Sequence, residues 1–129
     1  MKKTSLPKPT DSELAILRAL WRLGPATVRV VFDELNRAQK TGYTTVLKLL
    51  QIMTEKGLVR RDESARSHIY QPVCTEQQVQ RQLVGHLLDR AFGGSAQKLV
   101  LHALSTKKAS ATELKEIRKL LDEMEGDNK

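Results

Sequence analysis

Hydrophobic residues in the first half of the chain recur at helical spacing in three successive segments. Leu14, Leu17, Leu20 and Trp21 stand three and four apart, flanked by Ile16 and Leu23, which predicts a helix with one apolar face. Thr10-Asp11-Ser12-Glu13 ahead of them has the form of a capping box, in which the Thr oxygen caps a free amide and Glu reaches back. Gly24-Pro25 ends this helix. Thr27 is placed to cap a second, short helix whose buried positions are Val28, Val31, Phe32 and Leu35. The polar run from Asn36 to Thr41 reads as a connection, with Gly42 turning the chain. A third helix is expected from about Tyr43 to Lys56, closed by Gly57. Val46, Leu49, Leu50 and Met53 form its apolar stripe, and Thr44, Thr45, Lys48 and Gln51 its opposite face.

The pattern then changes. Leu58 to Arg61 and Ser67 to Gln71 are short strand-compatible stretches around the polar segment from Asp62 to Arg66, which predicts a hairpin with a solvated tip limited by Pro72. Thr75 and Glu76 open a long helix with Val79, Leu83, Leu87 and Ala91 along one side, stopped by Gly93-Gly94. A short helix from Ser95 contains Leu99, Val100, Leu101 and Leu104. The last begins near Ser110 or Ala111, with Leu114, Ile117, Leu120, Leu121 and Met124 on its apolar side, and the polar end from Glu125 to Lys129 is expected to fray. The expected fold is mainly α: a winged helix-turn-helix of three helices and a two-stranded wing, then a helical dimerisation region. The expected divisions are a flexible basic arm (1–9), the winged domain (10–74) and the dimerisation domain (75–129).

Charge sharpens this division. Residues 1–74 hold 13 Lys and Arg against 7 Asp and Glu, a net of +6, whereas residues 75–129 hold 9 against 8. A basic excess confined to the winged half favours a polyanionic partner there, nucleic acid first and anionic lipid second. Lys2, Lys3 and Lys8 of the arm add nonspecific attraction. Aromatic residues are only 4% of the chain, so the core must be built from Leu, Val and Ile. No apolar run approaches the roughly 20 residues that span a bilayer, and no secretory signal follows the first lysines. A single cysteine forms no internal disulfide and no thiolate cluster, which fits a cytoplasmic protein.

In a winged helix-turn-helix the recognition helix enters the major groove of double-stranded DNA. Thr44 and Thr45 at the start of the third helix suit a phosphate or a thymine methyl, and Lys48 and Gln51 suit base edges. Strand alternation forbids Arg60 and Arg61 from facing the same way, and Arg61 with Arg66 is the expected pair on the DNA backbone. Tyr70 is expected to pack against the helices. Leu83, Leu87, Leu99, Val100, Leu114, Ile117 and Leu121 carry more apolar surface than three helices readily bury alone, which favours a self-complementary homodimer over folding back onto the winged half. A winged-helix protein-interaction scaffold without DNA contact is the alternative.

The ordered set Pro9-Thr10-Asp11-Ser12-Glu13-Leu14, Trp21, Gly42-Tyr43-Thr44-Thr45-Val46 and Glu55-Lys56-Gly57-Leu58-Val59 resembles the penicillinase-repressor family of bacterial transcription factors, the BlaI/MecI group. Arg66, Tyr70 and Pro72 match its wing, while Phe92-Gly93-Gly94-Ser95 and Leu99-Val100-Leu101 look like its dimerisation region. The resemblance implies a homodimeric repressor on a palindromic operator. It also implies a membrane-sensor metalloprotease as partner, cutting the repressor in the segment equivalent to Leu101-His102-Ala103-Leu104. His102 and Ala103 are thus the candidate cleavage pair, departing on both sides from the family's best-known Asn-Phe. The cysteine cluster of the family's copper-responsive branch has no counterpart here. Catalysis finds no support: His68, His86 and His102 lack ligand spacing, no Ser or Thr sits in a nucleophile motif, and neither metal nor cofactor is expected. Cys74 is expected to be an inert thiol where the two halves meet.

Overall fold

The computed structural model describes residues 6–127. Its elements follow the order α1 (Asp11–Leu23), α2 (Val28–Asn36), α3 (Tyr43–Lys56), β1 (Val59–Asp62), β2 (Ile69–Pro72), α4 (Glu76–Arg90), α5 (Ala96–Thr106) and α6 (Ala111–Asp127). The chain divides into two compact units, Met1–Gly85 and His86–Lys129.

The first unit is a winged helix-turn-helix. The capping box starts α1 as expected: Thr10 Oγ1 accepts from the Glu13 amide at 3.2 Å, and Glu13 Oε1 accepts from the Thr10 amide at 2.9 Å. Glu13 also accepts a 2.7 Å ion pair from Lys56 at the last turn of α3, which ties the two helix ends together. Gly24 at φ 84° ends α1 and Gly57 at φ 84° ends α3, both in a conformation that side chains rarely adopt. Ile16, Leu17 and Leu20 of α1, Val31 of α2, and Val46, Leu50 and Met53 of α3 are fully buried against one another.

The wing closes the other side of this core. Val59 pairs with Pro72, Arg61 with Tyr70 and Asp62 with Ile69 in an antiparallel register. Tyr70 is buried as expected, and its backbone makes a reciprocal pair of hydrogen bonds with Ala26, at 2.8 and 3.0 Å. That bridge binds the α1–α2 connection to the wing, a contact with no signature in the hydrophobic pattern. Trp21 Nε1 donates to the Cys74 carbonyl at 3.1 Å, which fastens the chain leaving the wing back onto α1. Cys74 itself is buried in the core of the first unit, and that burial raises its thiol pKa.

Three expectations change. The basic arm is not free throughout: Leu6 packs against the core, Pro9 is buried, and Gln82 Nε2 donates to the Leu6 carbonyl. Lys2 and Lys3 lie outside the described residues. The compact unit continues past Thr75 to Gly85, because Val79 of α4 is buried in its core and Leu83 packs on its margin. Finally, α6 is helical to Asp127, beyond the polar end expected to start at Glu125; Asn128 and Lys129 lie outside the described residues.

In the second unit, Gly93 and Gly94 adopt positive φ between α4 and α5, and Ser95 caps α5 through the Lys98 amide at 3.2 Å. Ser110 and Glu113 form a reciprocal cap at the start of α6. Neither α5 nor α6 contains a buried residue.

Candidate nucleic-acid interface

The presentation of α3 is set by the turn before it. Asn36 Nδ2 donates to the carbonyls of Phe32 and Thr41 at 2.9 and 3.0 Å, and Asn36 Oδ1 accepts from the Thr41 amide at 3.1 Å. One side chain therefore closes the whole connection between α2 and α3. Phe32 and Tyr43 meet edge to face with centroids 5.5 Å apart, fixing the first residue of α3 against α2. Sequence reading missed both devices, since an Asn at a helix end signals only a cap and the Phe–Tyr contact joins residues from two elements.

With Val46, Leu50 and Met53 buried, Thr44, Lys48 and Gln51 are turned outward and exposed, one and two turns apart on the outer face. Thr45 is exposed too, but it lines a separate recess with Leu35, Gln39 and Leu49 on the flank of α3. The four predicted residues thus divide into an outward row of three and a flanking Thr45. Lys48 makes no ion pair among the described residues.

The wing supplies cations of two kinds. Arg66 is exposed at the tip without an ion pair among the described residues, as its expected role requires. Arg61 differs from expectation. Strand alternation puts it on the same side as buried Val59, its side chain is 31% exposed, and its guanidinium pairs with Glu63 at 2.7 Å. Hydrogen bonding to Tyr70 and to Glu63 raises its pKa further. Arg60, on the opposite side, is exposed. The tip is shaped by Asp62, whose carboxylate accepts from the Ser64 amide at 2.9 Å; the Ser64 contacts lower its pKa.

Other basic residues are committed to the scaffold. Glu34 bridges Arg22 at 2.9 Å and Arg37 at 3.2 Å, and the Arg22 hydrogen bond leads the effects that hold its carboxyl below the ordinary value. The Glu13 carboxyl is also held low: burial opposes ionisation, but the Lys56 ammonium and the Thr10 contacts outweigh it.

The predicted dimerisation residues fall into three environments. Leu83 packs on the core of the first unit, which removes it from any free apolar face. Leu99 and Ile117 are half-buried, while Leu87, Val100, Leu114 and Leu121 are exposed. His102 and Ala103 lie inside α5 and are exposed, with the His102 ring 5.7 Å from that of Phe92. The His102 carbonyl, part of the candidate scissile bond, accepts from Thr106 Oγ1 at 2.6 Å. No group of three or more His, Cys, Asp or Glu is arranged to hold a metal among the described residues. No described helix is long and apolar enough to cross a membrane.

Comparison with known proteins places this geometry. The family model described as penicillinase repressor matches residues 9–123. The transcriptional regulator BlaI of Mycobacterium tuberculosis is 33% identical over 117 residues, covering 89% of this chain and 83% of its own. The penicillinase repressor of Bacillus licheniformis is 24% identical, with 95% and 94% covered. Among solved structures, the DNA-binding domain of the repressor BlaI superposes with a TM-score of 0.51 at 24% identity, covering 60% of this chain and 93% of that one. The monomeric form of Bacillus licheniformis BlaI in complex with the blaP half-operator gives a TM-score of 0.51 at 22% identity, with 57% and 90% covered. These likenesses carry the winged-helix fold.

Proposed function

Because the chain belongs to the penicillinase-repressor family, a family of transcriptional repressors and not of enzymes, we propose that it is a homodimeric, sequence-specific repressor bound to a palindromic DNA operator. The observation that carries this reading is the exposed row Thr44, Lys48 and Gln51 on α3, beside an exposed Arg66 on the wing of a basic unit. Lys48 and Gln51 reach base edges in the major groove, and Thr44 meets a phosphate or a thymine methyl. Arg66 holds the backbone. Thr45 contributes from the flank, and Arg61 acts through the shape of the wing rather than as a free phosphate ligand. The Bacillus licheniformis relative, solved in complex with the blaP half-operator, supports an operator duplex as the partner.

The exposed apolar residues of α5 and α6 support the dimer. Val100, Leu101, Leu120, Leu121 and Met124 are each about half exposed or more, a concentration of apolar surface that marks an interaction face. A second copy covers it through a twofold interface. Two recognition helices then lie about 34–36 Å apart, or a multiple of that, on one face of the duplex.

Proteolytic release by a membrane-sensor metalloprotease belongs to the same reading. Cutting between His102 and Ala103 requires that α5 unwind locally, since proteases take extended substrate and this carbonyl is engaged by Thr106. The test of the central claim is a salt titration of binding to duplexes selected from a random pool. A steep fall in affinity with salt, together with one selected palindrome, is expected. Binding that ignores salt and sequence would favour the protein-interaction scaffold.

A further inference from the structure

We infer that the recess between the wing tip and the N-terminal ends of α2 and α3 holds one backbone phosphate of the bound duplex, with Arg29 and His68 as ligands beside Arg66. This rests on the operator-binding reading above and adds α2 to the contact surface. The recess is about 230 Å³ and brings together Thr27 and Arg29 of the α2 start, Tyr43 of α3, and Arg66, Ser67 and His68 of the wing. Two arginines, a histidine and hydroxyl-bearing residues from three elements line it together with Val28 and Leu47, and no acidic residue does. A phosphodiester needs such a set: two anionic oxygens, each able to accept several hydrogen bonds.

Arg29 is held ready for this. Its guanidinium lies 5.5 Å from the centroid of the Phe32 ring, and Phe32 is the residue that contacts Tyr43. The aromatic pair that orients α3 therefore also orients Arg29. Asp33 approaches only its Nε, at 3.9 Å, beyond hydrogen-bonding reach, which leaves the two Nη groups for a bidentate contact. The α3 terminus adds to the field. Gly42 makes no side-chain cap, and the first intrahelical bond is donated by Val46, so the amides of the first turn remain open to an anion. A phosphate held here bridges α2 and the wing, and thereby sets the depth and register of Lys48 and Gln51 in the groove.

The test uses the full-length chain and the palindrome that it selects from random duplexes. A chain that selects no sequence overturns the operator reading and this one with it; the remaining outcomes bear on the recess alone. Arg29→Gln and His68→Gln should each weaken binding by about tenfold with the selected sequence unchanged, the signature of a lost phosphate contact. Arg18→Gln, an exposed cation on α1 outside the recess, is the charge-matched control and should stay within about twofold. Replacing phosphates one at a time by neutral methylphosphonates should reveal one position per half-site where the wild-type chain loses affinity and Arg29→Gln does not. Wild-type affinity in Arg29→Gln would overturn the assignment, as would equal losses in Arg29→Gln and Arg18→Gln. Identical methylphosphonate profiles for wild type and Arg29→Gln would do so too.

Discussion

Every buried hydrophobic side chain among the described residues lies in the first unit, from Ile16 to Val79, whereas α5 and α6 bury none. The two regions have comparable raw material: each carries Leu, Val and Ile at helical spacing. They differ in what their apolar faces meet. In the first unit, α1, α2, α3 and the wing converge on one centre, and the polar faces that remain are free for a ligand. In the second, two helices joined by a short turn cannot enclose their own apolar stripes, and Leu101, Leu120, Leu121 and Met124 remain outside. A closed core lets the first unit present polar chemistry; an unclosed one lets the second present apolar surface. This is the division of labour that the proposed dimeric reader of DNA requires.

The sharpest way to break this comparison is to place a charge on the exposed apolar face. Leu121 is 54% exposed, so Leu121→Glu leaves the protomer intact while burying a carboxylate in the proposed interface. Operator affinity should fall by about 10²–10⁴, because the second half-site contact ceases to be intramolecular. Sedimentation should show a monomer, and a monomer with full affinity would end the dimer mechanism. Ile117→Glu is a weaker test, since Ile117 is half-buried within its own unit.

Truncation in the first unit should behave differently. Leu50→Ala removes a fully buried side chain and should cost about 2–5 kcal/mol of stability. For a fragment ending at Gly94, which lacks α5 and α6, the denaturation midpoint should not depend on protein concentration. A concentration-dependent midpoint would show that the first unit needs a partner.

Smaller effects separate the roles on the polar face. Lys48→Ala should relax the base preference at one position in each half-site by about 1–3 kcal/mol, and Arg66→Ala should lower affinity for all duplexes alike and flatten the salt slope. A uniform loss in Lys48→Ala would reassign it to the backbone.

Acid titration addresses how the first unit is tied together. The Glu13 carboxyl titrates below its ordinary value of 4.5 in the folded chain, so its contribution is present above that pH and is lost as pH falls through the lower folded value. Glu13→Gln should cost about 1–2 kcal/mol near neutrality and show a shallower loss of stability in acid. An unchanged acid profile would remove Glu13 from the account. Least of all, Arg61→Ala should leave stability nearly unchanged, because its Glu63 partner is exposed. It should weaken binding less than Arg66→Ala does.

Local physics made much of this legible from the chain alone. Thr10 with Glu13, Thr27 and Ser95 announce helix starts because a cap joins residues three positions apart. Val46, Leu50 and Met53 announce the buried side of α3 and therefore the exposed row Thr44, Lys48 and Gln51. The wing at β1 and β2 was visible in the change of period, although its strands start one or two residues later, and end one residue later, than their pattern implied. Long-range partners were not visible. Arg60 and Arg61 are equivalent by composition, and only the register opposite Tyr70 with Glu63 at hand separates the paired one from the exposed one. Leu83 and Leu87 share a helical stripe, yet the first belongs to a core and the second to the surface.

The sequence by itself therefore determined the order and type of the elements, the basic character of the first half and the outward chemistry of α3, because each depends on spacing within one element. Tertiary structure alone decided which of those groups remain free. It pairs Glu13 with Lys56 across 43 residues, bridges Ala26 to Tyr70, and gathers Arg29, Tyr43, Arg66 and His68 around one recess. An ion pair, a strand bridge or a shared cavity depends on distance in space, and separation along the chain does not encode that until the core between them has closed.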